Sequence, residues 1–288
     1  MTKLIIKKRP STIGTFYNAF KTKKHKIISV GKISEIEGVW NNIRLRENHV
    51  KKFNKICGLK DIEFLNILYP FTMTYPLNLY LISNKEIHVP MFKMLTIRNT
   101  TVMLRGIKSN ERLLLTSKSD AYNIINNGME FYMDSKIQSS GETVWENRST
   151  FFIPVKNQEP DQFYKPFRLK QIPGAKVVKK WFLPAKNGFR FAKVMGDSNA
   201  IHFSKRYSKK LGFKRDFAQP VLVSSKVVED LPEIPGDGPL KLDLFFKGPL
   251  YYNSELTLKN VSEKRSRRFD IYCQGNDRPC ISGKLERI

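Results

Sequence analysis

Apolar and polar positions follow one order along this chain, and that order comes twice. In the first pass, Lys26 to Arg46 alternates loosely, and a short helical stretch from Val50 to Cys57 closes at Gly58. The run Leu68 to Ile82 is apolar almost throughout and opens on Tyr69-Pro70, which predicts a buried helix with a proline start. Period-two alternation rich in aromatic and β-branched residues then predicts strands at Met94–Arg98, Val102–Arg105, Arg112–Ser117, Met129–Ile137 and Thr143–Ile153. Lys108-Ser109-Asn110 and Ser139-Ser140-Gly141 supply turns between them.

The second pass begins with a short strand at Trp181–Leu183. A basic helix, Lys205–Leu211, is stopped by Gly212, and Pro220 opens a second helix running to about Leu231. Strands follow at Leu240–Phe246, Glu255–Val261, Arg267–Gln274 and Pro279–Arg287. Each pass offers one principal helix and then about four antiparallel strands. A single helix is buried when a curved antiparallel sheet wraps around it, so the expected class is α+β, with that layer arrangement used twice. The divisions expected are 1–155 and 175–288, joined by a proline-rich linker at 156–174.

Composition narrows the partners. The chain has 288 residues, of which 41% are hydrophobic, so it is a globular protein rather than a disordered one. Prolines and asparagines interrupt the most apolar region, Phe64 to Ile82, which argues against a membrane span. The N-terminus is basic without an apolar run behind it, so no secretory leader is expected. The cysteines (Cys57, Cys273 and Cys280) form no paired framework, and free thiols fit a cytoplasmic location. Cys57 reads as a small core residue, and Trp145 and Trp181 as core or interface residues. The histidines are too scattered for a metal site, and His25, His49 and His88 are expected in surface or packing roles.

A net charge of +25 admits three kinds of partner: nucleic acid, an anionic surface, or a phosphate-bearing molecule or acidic carrier. Its lysines are spread along the whole chain without a nucleic-acid-binding signature, so nucleic acid is not the expected partner. A basic cluster at Lys205, Arg206, Lys209, Lys210, Lys214 and Arg215 has two readings: a solvated helix face, or a landing site for phosphates or an acidic carrier.

The chemistry concentrates in Met195-Gly196-Asp197-Ser198-Asn199-Ala200-Ile201-His202. A carboxylate, a carboxamide and an imidazole follow a glycine that lets the backbone turn sharply. Asp and His together add or remove protons near neutral pH. Apolar neighbours such as Phe189, Phe191, Val194, Ile201 and Phe203 anchor the cluster at the edge of a core.

The run from Gly188 to His202 resembles the signature of the MaoC-like dehydratases. Among these are the R-specific enoyl-CoA hydratases, with the motif Tyr-x-x-x-Ser-Gly-Asp-x-Asn-Pro-Ile/Leu-His. Leu211 to Ala218 is similar to the family's entry into its central helix, and Phe246 to Leu250 to the strand after it. Tyr69 to Pro76, Arg98-Asn99 and Val144 to Glu146 look like the leading repeat of fused two-domain members. The resemblance implies a double hot-dog fold. It further implies reversible hydration of trans-2-enoyl thioesters of coenzyme A or acyl carrier protein to R-3-hydroxyacyl thioesters, in fatty-acid metabolism. No metal or cofactor is implied beyond the carrier of the substrate, and the fused chain would be a monomer or a homodimer. The motif falls in the second repeat alone, so the first would shape the acyl tunnel.

In that reading Asp197 and His202 hold a water between them, one acting as base while the other donates. A coupled pair of this kind leaves the formal base unassigned. Asn199 orients the water or one of the pair. Gly196, Gln219 and Val221 are the candidate oxyanion and substrate contacts, since backbone N–H groups at a helix N-terminus stabilise a developing enolate. The chain departs from the family here: Gln219-Pro220 stands where His-Gly is usual, and proline has no N–H. Two further readings follow, an acyl-thioester-binding protein with weakened catalysis and, from charge alone, a nucleic-acid binder.

Overall fold

The computed structural model describes residues 2–21, 34–84, 86, 87, 89, 91–155 and 159–288. His25, His88, the start of the Lys26–Arg46 alternation and the first residues of the expected linker lie outside the described residues.

In chain order the first half comprises β1 (Thr2–Ile6), α1 (Thr12–Lys21), β2 (Ile36–Arg44), α2 (Glu47–Cys57), α3 (Phe71–Ile82), β3 (Leu95–Met103), β4 (Arg112–Ile125), β5 (Gly128–Ser139) and β6 (Glu142–Pro154). The second comprises β7 (Lys176–Leu183), α4 (Lys186–Met195), α5 (Lys205–Lys210), α6 (Pro220–Asp230), β8 (Leu240–Phe246), β9 (Ser254–Ser262), β10 (Ser266–Cys273) and β11 (Ile281–Arg287).

The strands join into one eleven-stranded sheet in the order β1-β2-β4-β5-β6-β3-β8-β11-β10-β9-β7. Without β1, the two halves have the same topology about the antiparallel β3–β8 seam. There β2, β4, β5, β6 and β3 correspond to β7, β9, β10, β11 and β8. The seam pairs Arg98 with Phe245 and Met103 with Leu240. Arg98 also forks onto both Asp243 carboxylate oxygens at 3.0 Å. The two expected sheets are therefore continuous through this pairing.

Helix α3 is apolar on every side and buries ten of its twelve residues, so it lies inside the fold against β2 and β4. Pro76 sits within it and leaves the Thr72 carbonyl without its helical donor. Helix α6 starts on Pro220, whose fixed φ suits a first helical position. It buries Val221, Leu222, Val223 and Val227 in the same core as Leu242, Leu244, Phe269 and Ile271. Cys57, 3% exposed, and Trp145, fully buried, are core residues, while Trp181 packs partly buried against the core.

Several elements differ from expectation. Met94–Arg98 and Val102–Arg105 are parts of one strand, β3, because Asn99 and Thr101 bury among strand neighbours despite their polarity. Neither β1 nor α1 was expected, and β1 pairs in parallel with β2, unlike every other pairing in the sheet among the described residues. Helix α4 was also unforeseen. No helix among the described residues is long and apolar enough to cross a membrane.

Candidate active site

Helix α4 delivers the candidate acid. Its apolar stripe of Phe191, Ala192, Val194 and Met195 faces the core, and Phe191 packs on Phe53 of α2 with ring centres 5.8 Å apart. The helix ends in a left-handed cap at Gly196, φ 68°, whose N–H donates to Ala192 O. The Asp197 amide donates to the same carbonyl at 2.8 Å. Asp197 thus begins the chain's exit from a locked turn, and it is 5% exposed.

Both carboxylate oxygens of Asp197 are engaged. Oδ1 accepts the Asn199 amide at 2.8 Å, and Oδ2 accepts the Gln219 side-chain amide. The Tyr75 hydroxyl, on α3 of the first half, also hydrogen-bonds this carboxylate. Burial and the neighbouring negative charge together push the Tyr75 phenol well above its ordinary range, so it acts as a donor.

His202 ends a single 3-10 turn, Ala200–His202, whose start is capped by the Asn199 side chain accepting from the Ile201 amide at 3.2 Å. Its Nδ1 lies 3.0 Å from Phe217 O. A carbonyl only accepts, so Nδ1 carries the proton, and Nε2 presents a lone pair when the ring is neutral. Nε2 is 3.8 Å from Asp197 Oδ2, too long for a direct hydrogen bond. A water at ordinary hydrogen-bond distance from both atoms would subtend about a right angle between them.

The other expected residues fall into three places. Gly196 spends its N–H on Ala192 O and its carbonyl on the Thr12 hydroxyl, so it shapes the turn and offers no oxyanion donor. Gln219 spends its amide N–H on Asp197. Its Oε1 is buried and has no partner among the described residues. Val221 carries the first amide of α6, because Pro220 has none, and the Leu222 amide turns back to Gln219 O at 3.1 Å. Of the basic cluster, Lys205, Lys209, Lys214 and Arg215 line one cavity of about 390 Å³ with Tyr251. Arg206 and Lys210 are exposed and do not line it. Tyr251 bridges to Phe217, the residue whose carbonyl holds His202, so the basic cavity adjoins the site.

Four first-half residues that the motif does not indicate also reach this turn: Tyr75, Arg9, Thr12 and His49. Arg9 Nη2 donates to Met195 O at 2.6 Å, Thr72 O at 2.7 Å and Val194 O at 3.0 Å. His49 Nε2 donates to Val194 O at 3.0 Å, and its Nδ1 accepts from the Tyr69 hydroxyl at 2.8 Å. Burial and the nearby Arg9 charge lower the His49 pKa, and burial pushes the Tyr69 phenol up to about 12. No signal in a single sequence links positions so far from the motif. Among the described residues, no group of three or more His, Cys, Asp or Glu side chains gathers as a metal site would require.

No protein-family model matches the sequence, and no curated protein matches it either. Solved structures do match in fold. HtdX of Mycobacterium tuberculosis superposes with a TM-score of 0.75 at 13% identity, over 88% of this chain and 100% of that one. A MaoC-like dehydratase from Phytophthora capsici gives 0.74 at 14% identity, over 91% and 98%. The full-length peroxisomal multifunctional enzyme type 2 of Drosophila melanogaster gives 0.67 at 15% identity, over 96% of this chain and 52% of that one. Thioesterases of the same architecture match as well. The structural neighbours are thus MaoC-like dehydratases and other hot-dog proteins, and the chain has the hot-dog fold.

Proposed function

We propose that this protein is a hydratase/dehydratase that interconverts trans-2-enoyl and R-3-hydroxyacyl thioesters of coenzyme A or acyl carrier protein. The observation that carries the reading is the facing pair, His202 Nε2 and Asp197 Oδ2, 3.8 Å apart with the imidazole proton anchored on Phe217 O. A water held between them loses a proton as it attacks C3, and a proton returns to C2 of the thioester. Either member of the pair serves as base in one direction and as acid in the other. Val221 N–H, the first amide of α6, would receive the enolate oxygen. The basic cavity at Lys205, Lys209, Lys214 and Arg215 suits the phosphates of a coenzyme A or phosphopantetheine arm.

The test is a hydration assay on enoyl-CoA thioesters of increasing chain length, with product stereochemistry checked. Asp197→Asn or His202→Ala is expected to reduce kcat by about 10² to 10⁴. Equal rates in wild type and variants would remove the pair from the mechanism. A second reading, thioester binding without turnover, rests on Pro220, which removes an N–H from the helix start that the chemistry uses. It predicts saturable acyl-CoA binding with no hydration at any chain length.

A further inference from the structure

The first half of the chain does more than complete the sheet. Three successive carbonyls of the turn that presents Asp197 are held by its side chains. Val194 O accepts Arg9 and His49, Met195 O accepts Arg9, and Gly196 O accepts Thr12. Ser198 then donates to Thr12 Oγ at 3.1 Å, so Asp197 is bracketed on both sides by residues tied to Thr12. The last carbonyls of a helix lack intrahelical donors and carry partial negative charge, and a guanidinium suits them.

Arg9's third acceptor gives it a particular geometry. Thr72 O is the carbonyl that Pro76 leaves without a helical donor in α3. One guanidinium nitrogen therefore bridges a proline-vacated carbonyl of α3 and two end carbonyls of α4. Helix α3 carries Tyr75 and α4 leads through its cap into Asp197, and these two residues meet at the site. Gly196 makes the approach possible: a Cβ there would stand 2.7 Å from Arg9 Nη2.

We infer that Arg9, on the segment between β1 and α1, is a positioning residue that fixes the Gly196–Asp197 turn against α3 and thereby aims the Asp197 carboxylate at His202. The inference rests on the proposed hydration chemistry for its kinetic consequence only. Misplacing a reacting group by about 1 Å costs on the order of 100-fold in rate. A lysine at position 9 keeps the charge and three donors on one nitrogen, but its ammonium is more strongly hydrated and costlier to bury, so it should restore the contacts only in part.

Two readouts on the full-length protein test this. The first is hydrogen exchange by mass spectrometry on wild type and Arg9→Ala, which needs no activity. Peptides covering residues 192–202 are expected to exchange faster in the variant, with those of β8 to β11 unchanged. Equal exchange in 192–202 overturns the inference, and so does faster exchange everywhere, because the variant then loosens the whole fold. The second is enoyl-thioester hydration. Arg9→Ala is expected to lose about 10- to 100-fold in kcat with KM within about twofold, and Arg9→Lys to lose less than Arg9→Ala. Added guanidinium ion at low millimolar concentration should restore part of the Arg9→Ala loss, whereas the exposed neighbour variant Lys8→Ala should match wild type. Unchanged kcat in Arg9→Ala, or no recovery with guanidinium, overturns the inference. If wild type itself hydrates nothing, the functional proposal fails, and the exchange result alone then decides whether Arg9 holds the turn.

Discussion

Replacing Gly196 by alanine combines two costs that can be measured separately. The residue has φ 68°, a left-handed conformation that an L side chain adopts at about 1–2 kcal/mol. The new Cβ would lie 2.7 Å from Arg9 Nη2 and 2.9 Å from its Cζ, so the guanidinium must withdraw from the turn. Its bonds to Val194 O and Met195 O are then lost or lengthened. Charge-assisted bonds of this kind contribute about 1.5–3 kcal/mol, and taking the pair together as about 2 gives roughly 3–4 kcal/mol for Gly196→Ala. In an Arg9→Ala background the crowding is absent, and only the conformational cost of about 1–2 kcal/mol remains. The double variant should therefore be about 2 kcal/mol more stable than the sum of the single losses predicts. Urea unfolding of all four proteins gives this coupling from the midpoints, provided the m-values agree. A Gly196→Ala cost that is the same in both backgrounds would show that Arg9 and Gly196 do not meet, and the packing described for the turn would be wrong.

Three other perturbations probe the same region. Tyr75→Phe deletes a donor to Asp197; losing one charge-assisted bond worth about 1.5–3 kcal/mol predicts a kcat about 10- to 100-fold lower with KM little changed, and an unaltered kcat would separate the first half from the chemistry. His49 has a lowered pKa in the fold, so the unfolded chain takes up its proton first as pH falls through about 6.5. Stability should accordingly decline from pH 7.5 to 5.5 more steeply in wild type than in His49→Gln by thermal unfolding, and parallel curves would refute the lowered value. Pro220→Ala adds an N–H at the start of α6; if Val221 already serves the enolate, kcat should stay within about threefold, whereas a rise of about 10² would mean that the oxyanion site lacks a donor in wild type.

How far the sequence could be read follows from where each determinant lies. Strands β8 to β11 and helices α3 and α6 have apolar periodicity or a proline start, signals contained within a few residues of each other. Gly58 and Gly196 mark turns because only glycine enters that conformation cheaply. Helix α4 escaped because its stripe is short and broken by Lys193 and Arg190, leaving a weak local signal before the glycine. The short β1 exposes Lys3 and Ile5 and takes its partners from residues about 34 positions away, so its parallel pairing has no local pattern. Within the site, Asp197, Asn199 and His202 lie close in sequence and carry their chemistry openly. Gln219's bond to Asp197 and the Arg9, Thr12, His49 and Tyr75 contacts depend on tertiary approach alone.

The repeated topology explains why only one half carries the acid. Helix α2 ends as α4 does: Gly58 has φ 69°, its N–H donates to Asn54 O, and the Leu59 amide donates to the same carbonyl at 2.9 Å. The turn at Gly58-Leu59 is therefore the topological counterpart of Gly196-Asp197, and α2 and α4 pack against each other through Phe53 and Phe191. Leu59 occupies the position of the carboxylate and packs partly buried against the core. A leucine there cannot titrate, so the backbone device is present twice while the carboxylate is present once. Relieved of that role, the first half uses its helices to brace the other turn: α2 supplies His49 to Val194 O, and α3 supplies Tyr75 to Asp197 and Thr72 O to Arg9. In the proposed reading, the candidate reactive groups thus lie on one repeat and much of their support on the other. Substitutions in the half without the motif should for that reason affect the reaction as well as the fold.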